Sequence, residues 1–221
     1  MGLDMYLQRA RLHGCTVEEM RTVSDYIDWQ KRMKEYREKG EEENLCTFKE
    51  WCNKEEPSKE LVEKLKSEVH DVGSYFHWLS GFEEVGYWRK ANAIHKWFVE
   101  NVQDGEDDCG TYVVSKEKLE ELLGKCKYIL DNVQTVKGKV KNGSTYKNGE
   151  WINNYEDGEV LDEQSELLCA SVLPTTSGFF FGGTDYDQYY LEDIKNTVEI
   201  IKDVLKSTDF ENETICYSSS W

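Results

Sequence analysis

The residue types best suited to chemistry concentrate in two strings, Tyr87–Val102 and Pro174–Tyr190. In GYWRKANAIHKWFVENV the spacing predicts a helix over Gly86–Val102, ended by Asp104–Gly105. Residues three and four apart share a helix side, so Arg89, Asn92 and Lys96 fall together. Trp88, Ala91, His95, Phe98 and Val102 form a second side. Arg89, Lys90 and Lys96 make a basic patch in an acidic chain. A guanidinium grips carboxylate or phosphate bidentately, and lysine adds a point charge. The competing reading makes Trp88, Ile94, Trp97 and Phe98 core, the basic residues a solvated face, and His95 a packed histidine.

The second string, PTTSGFFFGGTDYDQYY, sets three consecutive phenylalanines between glycines. Three successive rings cannot all face one side of an extended chain. Gly178, Gly182 and Gly183 permit close backbone approach. Thr175, Thr176, Ser177 and Thr184 offer hydroxyls, and Asp185 is placed at the start of a helix. Aromatic rings beside small hydroxyl side chains suit a nucleobase or a sugar. The plain alternative is a glycine-bounded buried strand. A phosphate loop is excluded, because no Gly-Lys-Ser/Thr ending and no strand followed by GxGxxG occurs.

Taken together, the strings predict one aromatic, polar pocket. Trp88 and one or more of Phe179, Phe180 and Phe181 stack a base, Arg89 and Lys96 meet phosphate, and Asn92, Ser177 and Asp187 hydrogen-bond ribose or base edges. His95, Thr175 and Tyr186 complete the expected lining. The function this suggests is binding of a nucleotide-derived small molecule by a homo-oligomer, without turnover. One alternative is a small enzyme on a phosphorylated nucleotide, with His95 as acid–base and Asp107 or Asp187 as the orienting carboxylate. A second is an acidic inhibitor that mimics DNA or docks on a basic protein. Asp107, Asp108 and Cys109 lie together, but His13, His70, His77 and His95 are too scattered to complete a metal site. No metal and no cofactor are expected.

Composition narrows the partners. The 221 residues carry a formal charge of −17, which argues against nucleic acid and anionic membranes as partners. No apolar stretch approaches the roughly 20 residues that span a bilayer. Seven cysteines without framework spacing, and a start lacking a secretory pattern, point to reduced thiols in the cytoplasm.

The elements that must position the pocket read as α+β, a mostly helical single domain with short strands at both termini that pair with each other. Leu3, Met5 and Leu7 alternate as in a strand. Helices are predicted from Thr16 to Gly40, from Ser58 through SKELVEKLKSEVH, from Ser115 along the Leu119–Leu130 stripe, over Glu163–Leu173 and over Asp185–Lys206. Thr111–Val114 and the terminal ETICYSSSW read as strands. Residues 137–160 suit a mobile loop or an extended hairpin around Asn142–Gly143 and Asn148–Gly149.

The strings MGLDMYL, GYWRKANAIHKWFVENVQDGEDDCG, LPTTSGFFFGGTDYDQYYLEDI and the SSW ending, in that order, resemble a family of acidic proteins encoded by bacteriophages and prophages. The resemblance implies a phage origin and an accessory, anti-defence role in the host cytoplasm. With the pocket, it suggests sequestration of a bacterial immune signal.

Overall fold

A computed structural model describes residues 2–68, 83–178 and 180–221. The chain is α+β. In order it forms β1 (Asp4–Arg11), α1 (Val17–Lys39), a 3-10 turn at Glu42–Asn44, α2 (Phe48–Cys52), α3 (Lys59–Glu68) and β2 (Glu83–Arg89). Then follow α4 (Asn92–Val102), β3 (Thr111–Val114), α5 (Lys116–Asn132), β4 (Thr135–Lys147), β5 (Glu150–Leu161), α6 (Glu163–Val172), α7 (Gln188–Ser207) and β6 (Glu213–Ser220). Its contacts divide the chain into two compact units. One comprises Met1–Gln8, Glu84–Thr208 and Ile215–Trp221, the other Arg9–Glu83 and Asp209–Thr214.

In the second unit, α1 begins in a capping box. The Thr16 hydroxyl accepts from the Glu19 amide, and the Glu19 carboxylate accepts from the Thr16 amide. It ends at Gly40, whose φ of 73° is the left-handed conformation of a helix stop. Beneath it Tyr26 and Trp29 meet Phe48 at 5.3 and 5.9 Å between ring centroids. The Trp29 indole donates to the Cys46 carbonyl. The aromatic stretch Tyr75–Phe82, with His70 and His77, lies outside the described residues.

The four-stranded sheet has the order β2-β1-β6-β3, so the first and last strands are neighbours. Leu3, Met5 and Leu7 are fully buried, as their alternation requires. Helix α5 turns Leu119, Leu122, Cys126 and Ile129 inward, and α7 does the same with Ile194, Val198, Ile201 and Val204. Burial pushes the Cys126 thiol up to about 12 and the Cys169 thiol to about 11, so both are unreactive core groups.

Two expectations change, and of the two forms expected for residues 137–160 the extended hairpin is the one present. The helix over Gly86–Val102 is a strand and a shorter helix, β2 and α4, separated by Lys90 in the left-handed region at φ 63°. Gly86 and Trp88 are buried while Tyr87 and Arg89 are exposed, the two-residue period of a strand. Gly86 is needed there, because a Cβ would sit 2.5 Å from Ile200 Cγ2 of α7 and 3.3 Å from Leu7 Cβ of β1. The last long helix starts at Gln188 rather than Asp185, since Asp187 caps it. Residues 137–160 lie in a 25-residue antiparallel pair, β4 with β5, turned by Asn148 and Gly149 at φ 52° and 91°.

Candidate functional site

The turn from β2 into α4 and the loop before α7 meet at one cleft of about 530 Å³ in the first unit. Strand alternation turns Trp88 into the core and Arg89 outward. Trp88 is 1% exposed, and its indole N–H donates to the Thr197 hydroxyl at 2.9 Å. It therefore offers no face to a ligand, which corrects its predicted stacking role. Arg89 lines the cleft and approaches Asp4 at 3.9 Å.

Lys90 follows in the left-handed conformation that non-glycine residues adopt at a cost. Gly182 is pressed against it, with a Cβ there 3.2 Å from the Lys90 carbonyl oxygen. Lys90 Cε and Arg89 Nε and Nη2 lie 3.4, 3.9 and 3.9 Å from where a Gly2 Cβ would be. The two cationic side chains thus converge over a glycine that leaves them room.

Asn92 lines the cleft wall but is spent on the scaffold. Its Nδ2 donates to the Phe181 and Gly183 carbonyls at 3.2 and 2.7 Å, and its Oδ1 accepts from the Thr176 amide at 3.0 Å. One side chain thus ties the 174–187 loop to the start of α4. The loop closes on itself as well. The Thr175 amide donates to the Tyr186 hydroxyl, and the Thr175 hydroxyl donates to the Thr184 carbonyl. Thr175 lines the cleft, Tyr186 packs edge-on to Tyr190, and Ser177 is exposed outside the lining. Phe179 lies outside the described residues. Phe181 is 6% exposed and serves as core, whereas Phe180 is 48% exposed.

His95 is 1% exposed, with both ring nitrogens engaged: Nδ1 with the Tyr217 hydroxyl at 2.8 Å and Nε2 with Asp107 at 3.0 Å. The Phe181 ring meets it edge-on, and the Trp221 indole donates to the other Asp107 oxygen. Asp107 is the orienting carboxylate the enzyme alternative asks for. Yet no ring nitrogen is left to take a proton from a substrate, and the arrangement is a sealed polar lock. Burial also raises the Tyr217 hydroxyl well above its ordinary value. Lys96 projects elsewhere on α4, 3.8 Å from Glu100, and is not in the lining.

The acidic side of the cleft comes from Asp185, Asp187, Glu192 and Asp193. Asp187 is 5% exposed and accepts from the Tyr189 and Tyr190 amides as the α7 cap. Its carboxyl is raised, chiefly by burial. Asp193 is pushed up to about 7, first by burial and then by the neighbouring carboxylates Glu192 and Asp187. Tyr189 supplies an exposed ring, held by its hydroxyl to Glu156 of β5 at 2.8 Å. The base of the hairpin adds Lys141 and Gly143.

Lys90, Lys141, Asp185, Tyr189, Glu192 and Asp193 are among the lining residues absent from the predicted set. Lys90 and Asp185 left a signal, the first in the basic patch beside Arg89 and the second at the expected start of the last helix. Among the described residues, Lys90, Lys141, Asp185, Glu192 and Asp193 make no side-chain hydrogen bond or ion pair. The cleft therefore presents three cations, unspent carboxylates and one open ring, a combination suited to a ligand with an anionic group and several donors. No group of His, Cys, Asp and Glu with metal-binding geometry occurs among the described residues. No described helix is long and apolar enough to cross a membrane.

No family model matches the chain, and no curated protein or solved structure is similar to it.

Proposed function

We propose that this chain binds a small nucleotide-like anion in the cleft and holds it unchanged. The carrying observation is the convergence of Arg89 and Lys90 over Gly2, two like charges side by side whose one ion-pair contact among the described residues is Arg89 with Asp4 at 3.9 Å. Such a pair is stabilised by an anion that both can reach, and phosphate fits the fork of arginine beside the point charge of lysine. Helix α4 opens beside them with no side chain capping its first turn, which adds favourable field for negative charge. The Tyr189 ring supplies a stacking surface, and the carboxylates of Glu192 and Asp193 accept from ribose hydroxyls or an exocyclic amine. Sealing of His95 on both nitrogens favours holding the ligand over turning it over.

In this reading the protein is a phage accessory factor that sequesters a nucleotide-derived immune signal in the host cytoplasm. Calorimetry with ADP-ribose and with a cyclic dinucleotide tests it. Heat is expected for at least one of them with the wild type, and at least tenfold weaker binding with R89E/K90E. Ligand recovered after denaturation should be intact. A folded wild type that gives no heat with either probe rejects the reading, and recovered ligand that is altered replaces it with an enzyme.

A further inference from the structure

The β4–β5 hairpin has two halves of different character. Its root is anchored: Val140 and Leu161 are 1% and 6% exposed, Val160 bridges to Asp187, and the Glu159 amide donates to the Gln188 side chain. The register then slips between Lys141 and Ser144, where Gly143 takes φ 85°. Such a bulge bends and twists a ribbon. Beyond it, residues 142–147 and 150–155 are exposed without exception.

Pairing of Tyr146 with Trp151, Ser144 with Asn153 and Lys141 with Tyr155 sets Tyr146, Trp151 and Tyr155 on one face of the distal ribbon. They are 59%, 71% and 60% exposed, and the Tyr146 and Trp151 rings touch at 5.3 Å. Three large bare rings on a two-stranded ribbon form an unstable combination, because such a hairpin is marginal by itself and exposed apolar patches mark contact sites.

We infer that this aromatic face is the interface of a homodimer, in which the distal arms of two copies pack face to face about a two-fold axis. Charge favours a second copy as the occupant. The distal arm, residues 142–155, carries one base, Lys147, and one acid, Glu150, so it is neutral in a chain of net charge −17 and two copies meet there without the repulsion the acidic surface imposes elsewhere. The surface is also large enough. Six partly exposed rings bring together roughly 600–900 Å² and, with the ribbon backbones, the pair approaches the ~1,200 Å² of a specific interface. Tyrosine and tryptophan are the residues that carry most of the energy in such contacts. The arm roots contribute Lys141 and Gly143 to the cleft, so dimerisation and ligand binding share a boundary.

Light scattering on the full chain, over a wide concentration range, tests the interface. The wild type is expected at twice the 25.9 kDa chain mass. W151E/Y155E should weaken the dimer at least thirtyfold, about what losing one hot spot does, with an unchanged circular dichroism spectrum. A second variant, with residues 144–153 replaced by Asn-Gly, keeps the anchored root and should be monomeric. A wild type that is monomeric at every concentration overturns the inference. So does a dimer that survives excision of the distal arm. Because neither variant touches Arg89 or Lys90, loss of the dimer with ligand binding retained separates this inference from the proposed function.

Discussion

Helix α4 and its approach carry two pairs of polar residues of opposite kinds within seven residues. Asn92 and His95 have their side-chain polar atoms engaged by other parts of the chain, and both are nearly fully buried. Arg89 and Lys90 stand just before the helix, with Asp4 at 3.9 Å as the first one's ion-pair contact and no ion pair for the second among the described residues. Both pairs are the residue types a sequence reading selects for binding. They part because a polar group whose lone pairs and donors are consumed internally contributes to the scaffold. One left unspent at a cleft is available to a ligand. Asp193 belongs with Lys90 on this criterion, and Trp88 belongs with His95.

The comparison breaks most visibly at His95. His95→Ala removes a ring packed on Phe181 and strands the Tyr217 hydroxyl and the Asp107 carboxylate, so a loss of about 3 kcal/mol is expected in denaturant titration. If the variant instead keeps its stability and loses only ligand affinity, the lock is a binding group and the division fails.

Asp193 tests the open side through pH. Its folded-state value of about 7 is raised above the unfolded carboxylate. The folded chain therefore holds this proton more tightly, and the associated stability is present below the unfolded value and lost as pH rises through 7. Asp193→Asn should be on the order of 2 kcal/mol more stable than wild type at pH 8, after allowing for partial exposure, and equal to it near pH 4. A pH-independent difference would show that the carboxylate is not held protonated.

Lys90 gives the smallest and most pointed effect. Lys90→Gly relieves a left-handed φ of 63° and should gain up to about 1 kcal/mol, while weakening anion binding. That outcome would mark the strain as kept for the cleft rather than for the fold. Destabilisation would instead assign the Lys90 stem a packing role over Gly2.

Much of the frame was legible because its signals are local. Thr16 with Glu19 and Gly40 bounded α1, Ser115 capped α5, and the Leu3–Met5–Leu7 alternation marked β1. The segment around Trp88 was not legible. Positions 88, 91, 94, 95 and 98 satisfy a helical stripe as well as a strand joined to a shorter helix. Lys141 was obscured for a different reason, since a polar, glycine-rich ribbon lacks the apolar alternation that announces strands.

By itself, then, the sequence determined the acidic character, the caps, the helices with strong stripes and the two strings from which the cleft is built. Each of those rests on interactions spanning three or four residues, or on composition alone. Tertiary structure decided which members of the strings were left over for a ligand. The Trp88 indole is consumed by Thr197 109 positions away, the Asn92 amide by Gly183 91 positions away and His95 by Tyr217 122 positions away. A side chain's availability depends on who reaches it across the fold, and spacing along the chain carries no record of that.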